Sequence, residues 1–100
     1  MRVIARNKLL TFWTEHPETE RALRHWHAVV TAADWQSSND VLASFSKAKP
    51  LNGERVRFPV AGGDFRLVVA FDWRRGIAFI KFIGTHAAYD RIDALTVNLF

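Results

Sequence analysis

The sequence contains no cysteine, which excludes disulfide bonds and metal sites built on thiolates. The absence of disulfides fits a reducing compartment, so we expect a cytoplasmic protein. No apolar run approaches the roughly 20 residues that a membrane-spanning helix needs, and we expect no membrane partner. The N-terminal residues MRVIARNKLLTFW carry charges where a secretory signal needs its apolar core, so export is not expected.

Glycine and proline are also scarce, with 5 and 3 residues in a chain of 100. There is no low-complexity stretch, internal repeat or long charge run, which excludes a solenoid or a disordered tail. Hydrophobic residues make up 49% and charged residues 24% of the chain, the balance of a folded protein with one modest core. We therefore expect a single domain that spans residues 1–100.

The formal net charge is +4 at pH 7, which for so small a domain favours polyanionic partners. Such partners include nucleic acid, an acidic protein and an anionic membrane surface. Net charge also serves solubility alone, so the positions of the charged residues must decide between these interpretations.

The first half of the chain predicts helices. Residues 6–16 carry aromatic and apolar side chains at i, i+3, i+4 and i+7, which is typical of an amphipathic helix. Pro17 ends this helix and begins a second one, which is expected to end near Ala33. A third, short helix is predicted after Ser37, which lies three residues before Asp40 as in a capping box.

The second half predicts strands. Residues 55–60, 65–72 and 77–83 alternate or run apolar, and short glycine-containing turns separate them. A short strand at residues 1–4 and a helix over residues 86–97 complete the pattern. The sequence therefore predicts an α+β fold, in the order strand, two to three helices, three-stranded meander and short C-terminal helix. The helices should pack on one face of a small antiparallel sheet.

Symmetric hairpins would pair Val60 with Phe65 and Asp72 with Ile77, and this register assigns two faces to the sheet. The expected core face comprises Val56, Phe58, Val60, Leu67, Val69, Phe71, Ala78, Ile80 and Phe82. The expected open face comprises Arg55, Arg57, Arg66, Lys81, Val68, Phe79 and Ile83. In this register Arg57, Val68 and Lys81 share one cross-strand row.

Cations beside aromatic and aliphatic neighbours on a sheet face suit contact with a phosphate backbone and stacked bases. A one-residue slip would bury those cations, which supports the register. However, any sheet with one face in solvent displays arginine and lysine there. Lys81 is different, because a lysine inside an apolar strand needs a groove open to solvent or a partner.

His86, Tyr89 and Asp90 follow the strand of Lys81 at a spacing that places them on one side of a helical turn. They could serve structure alone, with His86 at the helix start, Tyr89 packed and Asp90 paired with Arg91. They also suit metal-free RNA cleavage, in which the 2′-hydroxyl attacks the neighbouring phosphorus with help from a base, an acid and cations. No metal-binding motif is present, and we expect neither a metal nor a cofactor.

Three segments, MRVI, ADWQSSNDV and FRLVVAFDWRRGIAFIKFIGTHAAYDRID, closely resemble the HigB family of toxin–antitoxin systems, which is similar to the RelE-like mRNA interferases. FIGTHAAYDRID is the most specific of these matches, and the likeness covers essentially the whole chain. The resemblance implies a RelE-like fold and an endoribonuclease that cleaves mRNA, commonly on the ribosome. It also implies neutralisation by a HigA-type antitoxin that carries a helix-turn-helix domain.

The resemblance also implies roles for particular residues, since the family's THxxYD segment begins here at Thr85. The expected catalytic residues are His86, Tyr89, Lys81 and Arg66. His86 or Tyr89 would act as general base or acid, while Arg66 and Lys81 would stabilise the charge on phosphorus. The expected RNA-binding residues are Arg55, Arg57 and Asp90, of which Asp90 would orient His86 or read a base.

Two functions of other classes remain open at this point. The same basic face could serve a non-catalytic module that binds RNA or the ribosome. It could also serve a protein-interaction domain with an acidic partner. Cleaved transcripts with cyclic-phosphate ends would distinguish the ribonuclease from both, whereas salt-sensitive RNA binding without cleavage would indicate the module.

Overall fold

In a computed structural model, which describes residues 1–100, helices pack on one face of a five-stranded sheet. The helices are α1 (Arg6–Glu15), α2 (Glu20–Ala32), α3 (Ser38–Ser44) and α4 (His86–Tyr89). The strands are β1 (Arg2–Ile4), β2 (Lys49–Pro50), β3 (Arg55–Val60), β4 (Phe65–Asp72) and β5 (Ile77–Thr85). None of the helices has the length and apolar character needed to cross a bilayer.

The sheet has the strand order β1-β5-β4-β3-β2, so β5 and β4 lie at its centre. β1 runs parallel to β5, whereas the other three pairings are antiparallel. The predicted α+β fold is confirmed, with two differences: the sheet is mixed, and it includes β2. The two residues of β2 are too few to show any alternation, and Pro50 confines the strand to an edge.

The connection between α1 and α2 differs slightly from the prediction. Residues Pro17–Thr19 form a 3₁₀ turn instead of the first turn of α2. Thr19 is fully buried, and its hydroxyl donates a hydrogen bond of 2.7 Å to the carbonyl of His16. Proline removes a backbone donor here, and this hydroxyl bond stabilises the tighter turn.

α3 begins as predicted after Ser37, but the predicted capping box is wrong in detail. The Ser37 side chain makes no capping hydrogen bond. The Asp40 carboxylate instead accepts a hydrogen bond of 2.8 Å from the backbone N–H of Gln36. In a capping box the Asp40 carboxylate would accept from the N–H of Ser37, but here it accepts from the residue before Ser37.

The core lies between the helices and one face of the sheet. α2 contributes Leu23, Trp26 and Val30, all of which are buried. The Trp26 ring meets Phe58 of β3 edge to face, with 5.7 Å between the ring centroids. The predicted core positions of β3 and β4 all lie in this cluster: Val56, Phe58, Val60, Leu67, Val69 and Phe71. Burial of these apolar side chains is the main stabilising term of the fold.

The register follows the prediction at both hairpins but changes in the middle of β5. Val60 pairs with Phe65 and Asp72 with Ile77, as predicted. Between them, however, Val69 pairs with Ile80 while Val68 pairs with Phe82, so Lys81 is the extra residue of a β-bulge. A bulge shifts the alternation by one, so residues beyond it change faces.

Two sequence predictions are wrong because of this bulge. Phe82 leaves the core face, and Ile83 packs into the core cluster in its place. The predicted row of Arg57, Val68 and Lys81 is instead a row of Arg57, Val68 and Phe82. We call the side of the sheet that carries this row, opposite α1 and α2, the second face.

β5 also runs further than predicted, through Gly84 to Thr85. Gly84 does not end the strand. A Cβ atom at Gly84 would lie only 2.6 Å from Cζ of Phe82, so the absent side chain makes room for that ring. The sequence predicted that Gly84 ends the strand. In the structure Gly84 instead allows the Phe82 ring to pack on the second face.

The predicted C-terminal helix over residues 86–97 is wrong beyond its first turn. α4 ends at Tyr89, and the chain then crosses the second face without regular structure. The Asp93 carboxylate accepts a hydrogen bond of 3.0 Å from the N–H of Leu95, a local bond that competes with helix formation. The Leu99 N–H donates a hydrogen bond of 3.1 Å to the carbonyl of Lys81. This bond attaches the C-terminal residues to the bulge.

Candidate functional site

The end of β5 delivers α4 to the second face. The Thr85 hydroxyl accepts a hydrogen bond of 3.0 Å from the N–H of Ala88, which caps the helical turn. The N–H of His86 donates a hydrogen bond of 2.8 Å to the carbonyl of Asp64, which lies in the loop between β3 and β4. These two bonds anchor the turn at both its strand and its neighbouring loop, so the side chains that follow have a defined position.

His86 and Asp90 form a pair on one side of this turn. Nδ1 of His86 lies 3.0 Å from Oδ2 of Asp90, and the two side chains are 53% and 60% exposed. A carboxylate at Nδ1 favours the tautomer with its proton on that nitrogen, which leaves Nε2 as an acceptor. The imidazole is therefore oriented and reachable from solvent, as a general base must be.

Tyr89 lies between an aromatic ring and a cation. Its ring centroid is 6.2 Å from that of Phe82, and Cζ of Arg57 lies 5.8 Å from the Tyr89 centroid. A guanidinium above a phenol ring is a favourable cation–π arrangement. Because α4 carries His86 and Tyr89 and is followed directly by Asp90, we call Arg57, Tyr89, His86 and Asp90 the Tyr89 cluster.

Arg66 lies beside this cluster, but its side chain turns away along its own hairpin. It pairs with Gly84 of β5 and Pro59 of β3, one row beyond Arg57 and on the same face. Its Nη1 donates to the carbonyls of Gly63 and Phe65.

Arg57 and Arg66 share an unusual feature. The Nε–H group of each is buried and donates to no acceptor in the protein. An unpaired buried donor costs about 1–3 kcal/mol, so a rearrangement that supplies an acceptor is favoured. Carboxylate and phosphate oxygens are the acceptors that guanidinium groups pair with best.

Besides Arg66, two more of the predicted residues lie outside the cluster. Lys81 precedes Thr85 by four residues, about 13 Å along an extended strand, and its Nζ lies 3.0 Å from Oδ1 of Asn98. Arg55 is only 9% exposed, and its Nη1 donates to the carbonyls of Ala94 at 3.1 Å and Val97 at 2.8 Å. The predicted basic face is thus split between the Tyr89 cluster and a C-terminal segment, residues 92–100, that covers part of it.

The second face is less open than the sequence predicts. Val68 is fully buried and Phe82 is 3% exposed, although both lie opposite the helical layer. Phe82 is the ring on which Tyr89 packs, but strict alternation in the sequence assigned it to the core. The sequence around Lys81 does not predict the bulge. The one related feature of the sequence is Gly84, two residues after Phe82, which leaves space for the Phe82 ring.

No group of three or more His, Asp or Glu side chains lies close enough together to hold a metal ion.

The architecture is that of a known class of small proteins. A helical layer on one face of a small mixed sheet, with a short helix after the central strand, is the arrangement of RelE-like toxins. The chain belongs to the HigB toxin family: the model of that family, the RelE-like toxic component of a toxin–antitoxin system, matches residues 19–92. The match includes every residue of the predicted site, and the family implies an antitoxin partner. A comparison with curated proteins gives no match.

Proposed function

We propose that the protein is a cytoplasmic endoribonuclease that cleaves mRNA, on the translating ribosome, without a metal ion. The observation that carries this proposal is that one helical turn holds both the oriented, half-exposed imidazole of His86 and the phenol of Tyr89, whose ring lies near the Arg57 guanidinium. These groups supply a proton acceptor, a proton donor and a cation within one small surface. Membership of the HigB family supports the same assignment.

In the proposed reaction, Nε2 of His86 removes the proton of a ribose 2′-hydroxyl, while Asp90 stabilises the imidazolium that forms. The 2′-oxygen attacks the adjacent phosphorus, and the bond from phosphorus to the 5′-oxygen breaks. Tyr89 gives its proton to the departing 5′-oxygen. The products are a 2′,3′-cyclic phosphate and a free 5′-hydroxyl. The His86 imidazolium then loses its extra proton to water, and the Tyr89 phenolate regains a proton from water, which returns both groups to their starting states.

Arg57 and Arg66 stabilise the extra negative charge that develops on the phosphoryl oxygens. Their unpaired Nε–H groups gain acceptors in that state. Interactions that are made only in the transition state raise the rate, whereas equal binding of the substrate does not. In this proposal Lys81 contacts the RNA backbone away from the reacting phosphate, and Arg55 acts indirectly by holding residues 92–100.

The proposed antitoxin is of the HigA type, with a helix-turn-helix domain. A domain with net charge +4 and unpaired guanidinium donors on one face suits an antitoxin that brings carboxylates to that face. Such binding would exclude RNA from the Tyr89 cluster by direct competition.

The test is induced expression followed by mapping of transcript ends, with His86→Gln and Tyr89→Phe as variants. Each variant should lower cleavage by about 10²–10⁴-fold, because each removes one proton-transfer group. His25→Gln is the matched control, since His25 is exposed on α2 in the helical layer. Circular dichroism of the purified proteins verifies equal folding.

Two results would count against this proposal. Full cleavage by both variants at equal folded levels would place the chemistry elsewhere. Growth arrest that persists in both variants without any cleaved transcript would indicate the non-catalytic module that binds RNA or the ribosome.

A further inference from the structure

A groove on the second face lies between the row of Arg57 and the turn between β4 and β5. Its volume is about 650 Å³, and we call it the Phe79 groove. Its lining includes Glu54, Arg55, Ala70, Arg74, Phe79 and Lys81. A groove of this size accommodates a nucleotide-sized ligand. We propose that it binds one nucleotide of the RNA strand and selects its base, an inference that rests on the function proposed above.

The floor of the groove follows from the strand register. Arg55, Ala70 and Phe79 form one row across β3, β4 and β5, on the second face. The small Ala70 side chain between two large residues creates the depression. The Phe79 ring is half-buried, so part of its surface faces the groove. Aromatic surfaces of this kind stack nucleic-acid bases at a gain of about 1–3 kcal/mol per base.

Cations surround this aromatic surface. Nζ of Lys81 lies 5.3 Å from the Phe79 centroid, and the bulge places Lys81 outside the regular pairing of β5. One of the three ammonium donors of Lys81 bonds to Asn98, which leaves two for phosphate oxygens. Arg74 is exposed at the rim. A base stacked on Phe79 would therefore have cations beside its phosphate.

Glu54 adds a group that can distinguish bases. It is exposed at the rim and forms no ion pair, whereas Asp72 on the same groove is paired with Arg75 at 3.7 Å. The Glu54 backbone is held on both sides, since its N–H donates to Asn52 and its carbonyl accepts from Phe71. A carboxylate accepts hydrogen bonds from the amino group of cytosine but repels the carbonyl that uracil presents at the same position. The groove is therefore expected to prefer cytidine to uridine.

The groove and the Tyr89 cluster lie on adjacent rows of the second face. The rows of Arg55 and Arg57 are two residues apart on β3, about 7 Å. The groove thus holds a nucleotide near the scissile one, where it affects substrate choice rather than proton transfer.

The experiment uses the purified chain, with and without ribosomes, and short oligouridine RNAs that carry a single cytidine at successive positions. Cleavage is measured as kcat and KM, and binding by fluorescence anisotropy with a 2′-deoxy substitution at the cleaved nucleotide. The wild type should favour cytidine at one position by about 10-fold. Glu54→Gln should reduce that preference to about 2-fold or less while kcat on oligouridine is retained.

Ala70→Leu fills the groove and should raise KM by about 10-fold with little change in kcat. Phe79→Leu, which removes the stacking surface, should act in the same direction and covers the case in which Ala70→Leu fails to fold. Ala28→Leu is the control, because Ala28 is exposed on α2 in the helical layer.

Unchanged base preference in Glu54→Gln, with unchanged KM in Ala70→Leu and Phe79→Leu, overturns the inference while cleavage by the wild type still upholds the proposed function. A wild type that neither binds nor cleaves these RNAs, with or without ribosomes, overturns the proposed function itself. Loss of antitoxin binding in the groove variants, with unchanged RNA kinetics, assigns the groove to the protein partner and also overturns the inference.

Discussion

Gly84 illustrates at the scale of one residue how the candidate site is positioned. The Phe82 ring occupies the space that a side chain at Gly84 would need, and Tyr89 lies against that ring. The position of the phenol therefore depends on a hydrogen atom where every other amino acid has a carbon. This dependence is steric, since Gly84 has an ordinary strand conformation.

Gly84→Ala should therefore both destabilise the protein and lower RNA cleavage. The added Cβ lies 2.6 Å from Cζ of Phe82, so the ring must move, at a cost of about 1–3 kcal/mol. Urea denaturation measures the loss of stability, and the rate of oligonucleotide cleavage measures the displacement of Tyr89. Gly53→Ala is the matched control, because its Cβ meets nothing within 4 Å. Equal stability of the two variants would contradict this account.

At the scale of secondary-structure elements, the bulge in β5 and the C-terminal segment act together. The bulge exposes the Lys81 carbonyl to Leu99, and Arg55 on β3 holds two carbonyls of the same segment. Arg55 is thereby the link between the sheet and residues 92–100. A buried guanidinium with two carbonyl acceptors stabilises more than an exposed ion pair does.

Arg55→Met should release the C-terminal segment while the sheet remains intact. The change leaves the Ala94 and Val97 carbonyls without their donor and costs about 1–3 kcal/mol locally. Hydrogen exchange of the Leu99 amide should accelerate, whereas amides within the β3–β4 ladder should keep their protection. Arg74→Met, at an exposed position, controls for the loss of one charge. Unchanged exchange at Leu99 would show that other contacts hold the segment.

The pairing of α1 with α2 makes stability depend on pH. Burial, and then the positive charge of Arg6, lowers the pKa of His27 below its ordinary value of 6.5. The unfolded chain thus binds a proton below pH 6.5 that the folded protein does not bind. This contribution to stability is present above the ordinary pKa and is lost as the pH falls toward the lowered one.

His27→Gln should flatten the decrease in stability on acidification. Free energies of unfolding in urea, measured between about pH 7 and about pH 5, test this directly. His25→Gln should leave the decrease in place, since His25 is exposed two residues away on the same helix. A His27→Gln protein that loses stability as steeply as the wild type would exclude His27 as the source.

At the scale of the whole molecule, the two faces of the sheet differ in their charge and in how much of each face is covered by the rest of the chain. The helices cover one face of the sheet, whereas α4 and residues 92–100 cover only part of the other. Arg57, Arg66 and Lys81 therefore lie close to any ligand that binds to the second face. With net charge +4, binding of a polyanion should be strongly sensitive to salt.

RNA affinity should fall with salt in proportion to the number of phosphates contacted. Lys81→Gln should lower the slope of log affinity against log salt concentration by about 0.7, the value for one contact on a single strand. Fluorescence anisotropy with a non-cleavable oligonucleotide measures the slope. Arg21→Gln is the control, because Arg21 is exposed in the helical layer. Equal slopes for the two variants would show that RNA does not contact Lys81.

By itself the sequence determined which sides of β3 and β4 meet the helices, and the register of both hairpins. The reason is energetic: each alternative register would bury the charges of Arg57 and Arg66 in an apolar core. The order of elements followed from spacing, proline and glycine. The residues of the Tyr89 cluster were also predictable, since three of them lie within five positions of the chain.

Only the tertiary structure decided where β5 bulges and where the chain goes after Tyr89. The bulge at Lys81 places Ile83 in the core instead of Phe82. Because both residues are apolar, the sequence does not indicate which of them faces the core. Residues 92–100 are directed by bonds to Arg55 and Lys81, which are distant in sequence. Both features depend on contacts between remote parts of the chain, and such contacts leave no periodicity in the local sequence.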